Sequence, residues 1–396
     1  MASIKVLNGN AAAAEAVGQV HPDVVVSNPA APASPILEKL ASFIADGRLD
    51  AEMINAESAY SAISACIGAS AAGGRVFSAA SSQGLAAMHE LLFIASSLRL
   101  PIVAAVANRA LSAPLNIHAD HSDAMAQRDC GWIQIFSENS QETYDNIIQA
   151  FKIAEHPEVK NPVMVGLDGF ITSHEMANIW LEETGEVADF VGKCNPAYSL
   201  LDSDNPVTVG SIDTPDYYFE HKVLQLQGME NARKVIKEVG KEFGDRFSRY
   251  YGYFESYKLE DAEYAVVLMS SSAGAAKEVV DELRNNGAHV GLLKLRVFRP
   301  FPHQELKEAL SHLKAIAVLD RVLTPGSYGG PLFNETRAAL YDLEEKKPPL
   351  VFPYVYGLGG RDIDVNHFRD VFKDIEEKNM EKIEIKTGLA FINLRQ

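Results

Sequence analysis

Three stretches decide the fold: Asn55-Ala-Glu-Ser-Ala-Tyr-Ser-Ala62, Phe77-Ser-Ala-Ala-Ser-Ser-Gln-Gly84 and Ala107-Asn-Arg-Ala-Leu-Ser-Ala-Pro114. Each starts where a short apolar run ends, and just beyond that end stand Glu57, Ser82-Gln83 and Arg109. In open α/β sheets ligands bind outside the carboxyl ends of the strands, so three polar strand ends within sixty residues predict one shared site. The flanking sequence agrees. Residues 24–26, 75–77, 101–106 and 163–167 are apolar and strand-like. Between them, residues 34–45, 60–71, 85–97 and 141–155 carry apolar side chains at three-to-four spacing, which predicts helices. Strands alternating with helices predict an α/β fold with a doubly wound parallel sheet.

Downstream, residues near 195–225 are rich in Asp, Pro and Ser without periodicity and predict an extended surface arm. Residues 231–249 are charged and helical, and a second α/β unit begins near Glu263. It has strand-like runs at 264–269, 290–295 and 315–319, a Ser270-Ser-Ser-Ala-Gly274 turn, and a closing Gly357-Leu-Gly-Gly360 turn. The expected division is residues 1–250 and 260–396.

The 396 residues carry a formal charge of −17, which repels nucleic acid and also an acidic electron carrier. A carrier of that kind is expected to dock on another subunit. Cys66, Cys130 and Cys194 lie 64 residues apart, unlike a zinc knuckle or a local iron–sulfur motif. Few cysteines, no apolar leader at Met1–Gly9 and no run of membrane-spanning length predict a cytoplasmic protein with no membrane partner.

The order of these motifs resembles the α subunits of the 2-oxoacid:ferredoxin oxidoreductases, which are thiamine-diphosphate enzymes; the later unit resembles the smaller C-terminal domain of transketolase-type enzymes. The resemblance implies a pyrimidine-binding domain and a site shared with a β subunit. That partner would bring Mg²⁺, the diphosphate half-site and a [4Fe–4S] cluster. A further cluster-bearing subunit would pass electrons to ferredoxin. Within Glu57-Ser58…Ser61-Ala62, Glu57 would be the carboxylate that faces the aminopyrimidine, a role best served by burial and a raised pKa. By residue type alone it is also a first-turn glutamate complementing a helix dipole. Arg109 would bind the substrate carboxylate, for which a guanidinium fork is suited, the bland alternative being a structural ion pair. Pro29, Ser82 and Gln83 would line the cofactor.

One stretch departs from the pattern. Pyruvate-type members carry Tyr-Pro-Ile-Thr-Pro where this chain has Asn28-Pro-Ala-Ala-Pro32. The loss of apolar bulk and of a hydroxyl at Asn28, Ala30 and Ala31 points to oxalate, whose second carboxylate replaces a methyl group, and so to the oxalate oxidoreductase branch. Pyruvate or another 2-oxoacid, with coenzyme A, is the alternative; a non-catalytic scaffold is another. His118-Ala-Asp-His-Ser-Asp123 has metal-ligand composition, so a metal-dependent hydrolase is a rival. Adjacent Asp120 and His121 cannot easily face one way, and a positioning segment with His118 toward substrate is the preferred reading.

Overall fold

The computed structural model describes residues 3–341, 348–381 and 388–395. Its strands are β1 (Ser3–Leu7), β2 (Val24–Ser27), β3 (Glu52–Asn55), β4 (Val76–Ala80), β5 (Ile102–Asn108), β6 (Ile133–Phe136), β7 (Val163–Asp168) and β8 (Ala177–Leu181). After the long helix Tyr218–Phe247 come β9 (Phe254–Tyr257), β10 (Tyr264–Met269), β11 (Val290–Leu295), β12 (Val297–Arg299), β13 (Ala315–Asp320), β14 (Leu350–Val355) and β15 (Ala390–Phe391).

The first sheet runs β12-β6-β7-β5-β4-β2-β3, parallel except where β12 pairs antiparallel with β6. β4, β5, β6 and β7 are buried along their whole length, as strands covered on both faces must be, and this is why they read as continuous apolar runs. One face packs Ile36, Leu40, Ile147 and Phe151 with Ala13 and Val17 of the helix Gly9–Val20. The other face packs Ala62, Ile63, Leu92 and Trp132. The chain passes from β2 outward to β3 and then back across to β4. The order therefore reverses between β2 and β4, and the turns after those two strands diverge there.

The second sheet, β15-β14-β13-β10-β11-β9, repeats the scheme, with β9 antiparallel at the edge and a reversal between β10 and β13. The doubly wound parallel architecture expected from the sequence is present in both units. Details differ. The helix expected over 85–97 is broken at Met88 into Ser82–Ala87 and His89–Ser97. The arm ends sooner than expected, because the helix read as starting at 231 begins at Tyr218. Its first turns carry Phe219, Val223 and Leu226 at helical spacing, but leave them exposed instead of packed on the core. Residues 297–299, from the C-terminal half, give β12 to the first sheet.

The carboxyl ends of the two sheets meet at a buried charged cluster. Asp168, at the end of β7, is fully buried; its Oδ2 accepts from Arg321 Nη1 at 2.7 Å and from the Ser271 amide at 3.1 Å, and its Oδ1 faces His121 Nε2 at 2.7 Å. Burial alone would raise its pKa; the Arg321 guanidinium, then His121, outweigh burial and hold the carboxyl well below the usual range. Replacing Asp168 by Asn would leave Arg321 buried without its counter-ion. Asp168→Asn is expected to cost on the order of 3–5 kcal/mol, read from urea unfolding midpoints; a loss under about 1 kcal/mol would mean that the pair does not hold the units together.

Candidate functional site

The site edge is organised by a residue whose role the sequence hid. Asp123, in the short helix Ser122–Ala126, is fully buried. Its Oδ2 accepts from the backbone amides of Ser82 and Arg109, both at 2.9 Å, so the turns after β4 and β5 share one acceptor. Its Oδ1 accepts from Asn108 Nδ2 at 2.9 Å and the Ala124 amide at 2.7 Å. Burial pushes the carboxyl up to about 6, against the lowering by the Asn108 amide and the three N–H donors. The short helix has no side-chain cap, and Ser122 Oγ instead accepts from the Leu111 amide at 3.0 Å, eleven residues away.

Around this knot the expected site residues take their places. Ser82 is buried with φ 48°, and its hydroxyl donates to the Ala110 carbonyl at 2.5 Å. Gln83 is exposed and donates to Ser112 Oγ at 2.7 Å. Arg109 is half-buried; Nη1 donates to the Ala31 carbonyl at 2.8 Å and Nε to the Asn116 carbonyl at 3.1 Å. Among the described residues no carboxylate pairs with it, so its charge is oriented by neutral acceptors and free for an anion. In the turn after β2, Asn28 gives its amide to the Ala56 carbonyl at 3.2 Å, while Pro29 and Ala31 are exposed and Ala30 is half-exposed.

Glu57 differs from its expectation. It is exposed at the lip after β3, where no second wall covers it. Its pKa lies below the ordinary value because of the Ser61 hydroxyl first, then backbone hydrogen bonding and the Ser58 hydroxyl, which stands 3.2 Å from Oε1. Both serines use Oε1, and Oε2 has no hydrogen-bond partner among the described residues.

The far wall comes from the second unit. Asn116 donates to the Gly359 carbonyl at 3.2 Å, and the Gly360 amide donates to Ala119 at 2.9 Å. Gly360 has φ 77°, and a Cβ there would lie 2.5 Å from the His118 Cβ, so only glycine lets the turn approach so closely. His118 is exposed, with its ring 5.3 Å from Phe170. The residues from His118 to Asp123 diverge: His121 is buried against Asp168, Asp120 accepts from the Ser122 amide, and Asp123 faces inward. The grouping with metal-like convergence among the described residues is instead Glu138, Glu142 and Glu255, and Lys294 and Lys277 already sit among those carboxylates.

Comparison with known proteins places this geometry. Residues 15–241 match the thiamine-diphosphate-binding domain of pyruvate flavodoxin/ferredoxin oxidoreductases, and residues 262–368 match core domain II of pyruvate:ferredoxin oxidoreductase. The chain is 50% identical to pyruvate synthase subunit PorA of Thermotoga maritima, over 94% of this chain and 95% of that one. It is 44% identical to ketoisovalerate oxidoreductase subunit VorA of Pyrococcus abyssi, over 94% and 93% of the two chains. In fold it is similar to a 2-oxoglutarate:ferredoxin oxidoreductase from Magnetococcus marinus, with TM-score 0.73 and 15% identity, covering 95% of this chain and 65% of that chain. A split-gene transketolase is a more distant fold neighbour, with TM-score 0.53 and 12% identity over 96% of this chain and 100% of that one. The chain belongs to the 2-oxoacid:ferredoxin oxidoreductase family, as an α subunit with a thiamine-diphosphate-binding domain.

Proposed function

We propose that this subunit takes part in the oxidative decarboxylation of a 2-oxoacid, pyruvate first, with coenzyme A as acyl acceptor. Electrons would leave through iron–sulfur clusters on partner subunits to ferredoxin, and a β subunit would bring Mg²⁺ and the diphosphate half-site. The observation that carries the reading is Arg109: a half-buried guanidinium, aimed by two carbonyls and without an acidic partner among the described residues, at the open end of the sheet. It would hold the substrate carboxylate. The similarity to pyruvate and ketoisovalerate oxidoreductase subunits favours pyruvate or a branched 2-oxoacid.

The chain's residues fit the pyrimidine half of thiamine diphosphate. Glu57 offers a free Oε2 at the lip, and Pro29, Ser82 and Gln83 border the same edge. When bound, thiamine diphosphate supplies the electron sink for breaking the bond between carboxylate and carbonyl carbon. Glu57 would hold a proton against N1′ of the aminopyrimidine, and His118 would stand toward the substrate. On this proposal residues 1–250 form the half-site and residues 260–396 brace it. No helix among the described residues is long and apolar enough to cross a membrane.

A second reading is oxalate, yielding two CO₂ and two electrons without coenzyme A. It rests on the small Ala30 and Ala31 beside the Arg109 fork, which leave room for a hydrated second carboxylate. The two substrates are separable by viologen reduction in the purified native complex, with pyruvate, 2-ketoisovalerate and oxalate, each with and without coenzyme A. Turnover of a 2-oxoacid dependent on coenzyme A is expected; turnover of oxalate without it would give the second reading the place of the first. Silence with every substrate, despite bound thiamine diphosphate, would point to a scaffold. In the active complex, Glu57→Gln is expected to lower kcat by about 10²-fold or more.

Glu57 also gives a titration test. In the isolated chain its carboxyl should titrate below the ordinary glutamate range, and Ser61→Ala should raise it, because Ser61 is the largest lowering influence. Assembly with the β subunit should raise it further by desolvation. Carboxyl-carbon NMR reads both; an unchanged titration on assembly would show that the partner does not cover Glu57.

A further inference from the structure

We propose that Asp123 is a positioning residue for substrate binding: its carboxylate locks the Ser82 and Arg109 turns into one rigid unit and thereby sets the placement of the Arg109 fork. The inference rests on the reading of Arg109 as the substrate-carboxylate ligand and goes beyond it, because Asp123 is fully buried and both its oxygens are taken by N–H donors of the chain.

Asp123 receives four hydrogen bonds, two at each oxygen, and all four come from N–H donors. One oxygen ties the backbone of Arg109 to that of Ser82; the other fixes the carboxylate through Asn108, the last residue of β5, and Ala124. Ser82 is held at φ 48°, a conformation that non-glycine residues adopt at a cost and keep only where the surroundings enforce it. Its amide bond to Asp123 and its hydroxyl bond to Ala110 enforce it from opposite ends. The Arg109 side chain is then clamped by Ala31 and Asn116, the latter itself held by Gly359 of the second unit. The guanidinium is thus fixed at its root by Asp123 and at its tip by two carbonyls, and loosening the root moves the tip.

Asparagine has the same shape as aspartate but cannot replace it. Whichever way the amide turns, its NH₂ faces two N–H donors, and one pair of bonds is lost. The test uses the purified complex with pyruvate, comparing wild type, Asp123→Asn, Arg109→Ala and the double variant. Asp123→Asn is expected to raise KM about tenfold or more while kcat changes less than about threefold. In the Arg109→Ala background the same substitution should change KM by less than about twofold, the non-additivity of residues acting through one contact.

An equal KM rise in both backgrounds, or a fall in kcat with KM unchanged, would overturn the inference. If Arg109→Ala itself leaves KM unchanged, the carboxylate-ligand reading fails, and the inference with it, by a different signature. Should Asp123→Asn not assemble, Asn108→Ser decides: it removes one of the four donors and keeps the carboxylate. It should raise KM by about threefold, again only when Arg109 is present; no change in KM would refute the role.

Discussion

The carboxylate of Asp168 is the constraint on which the arrangement of the chain depends. A fully buried carboxylate is tolerable only where cations and hydrogen-bond donors surround it. Here Arg321 and Ser271 arrive from the second sheet, and His121 from the loop above the first. Satisfying that one charge brings the carboxyl ends of two separate sheets face to face. It also fixes the loop that carries His118 and Asp123, since the His121 amide donates to the Arg321 carbonyl at 2.9 Å. The second unit is therefore part of the site's frame: through Gly359 and Asn116 it reaches within one carbonyl of the Arg109 side chain.

Two kinds of residue share the edge. Asp123, Asn108 and Ser82 are buried, and the Asp123 carboxylate accepts from the other two, which ties the frame together. Glu57, Gln83 and His118 are exposed and keep polar atoms in reach of something outside the chain. Leu115 is 71% exposed and Ile117 43%, beside an otherwise polar edge, which suits coverage by a partner. A carboxylate intended for proton transfer near neutrality needs a raised pKa, and this chain by itself gives Glu57 the opposite shift. The missing desolvation is what a second subunit would add.

The interior strands β2, β4, β5, β7, β10, β11 and β13 were legible because a two-sided parallel sheet demands unbroken apolar runs, and most covering helices between them because they demand three-to-four spacing; the interior strands β6 and β14 and the helix Gly9–Val20 went unread. β1, β8 and β12 were not legible. Each pairs with a strand distant in the chain, β1 with β8 and β12 with β6; β1 is largely exposed and β12 is only three residues long, so neither makes a distinctive run. The break at Met88 escaped because it leaves the local apolar stripe unchanged.

For the site, the sequence by itself determined where Glu57, Ser82-Gln83 and Arg109 stand, because a polar residue just past an apolar strand is placed at the sheet's edge by the strand's length alone. It could not assign Asp123, Asp168 or Arg321, nor place His121 against Asp168. Those roles are set by partners far away in sequence, as with Arg321 on Asp168 across 153 residues and Ser82 on Asp123 across 41. Only the tertiary structure decided which acids were buried with donors and which stayed at the lip. Burial, and with it pKa, is a property of the whole fold and not of the local segment.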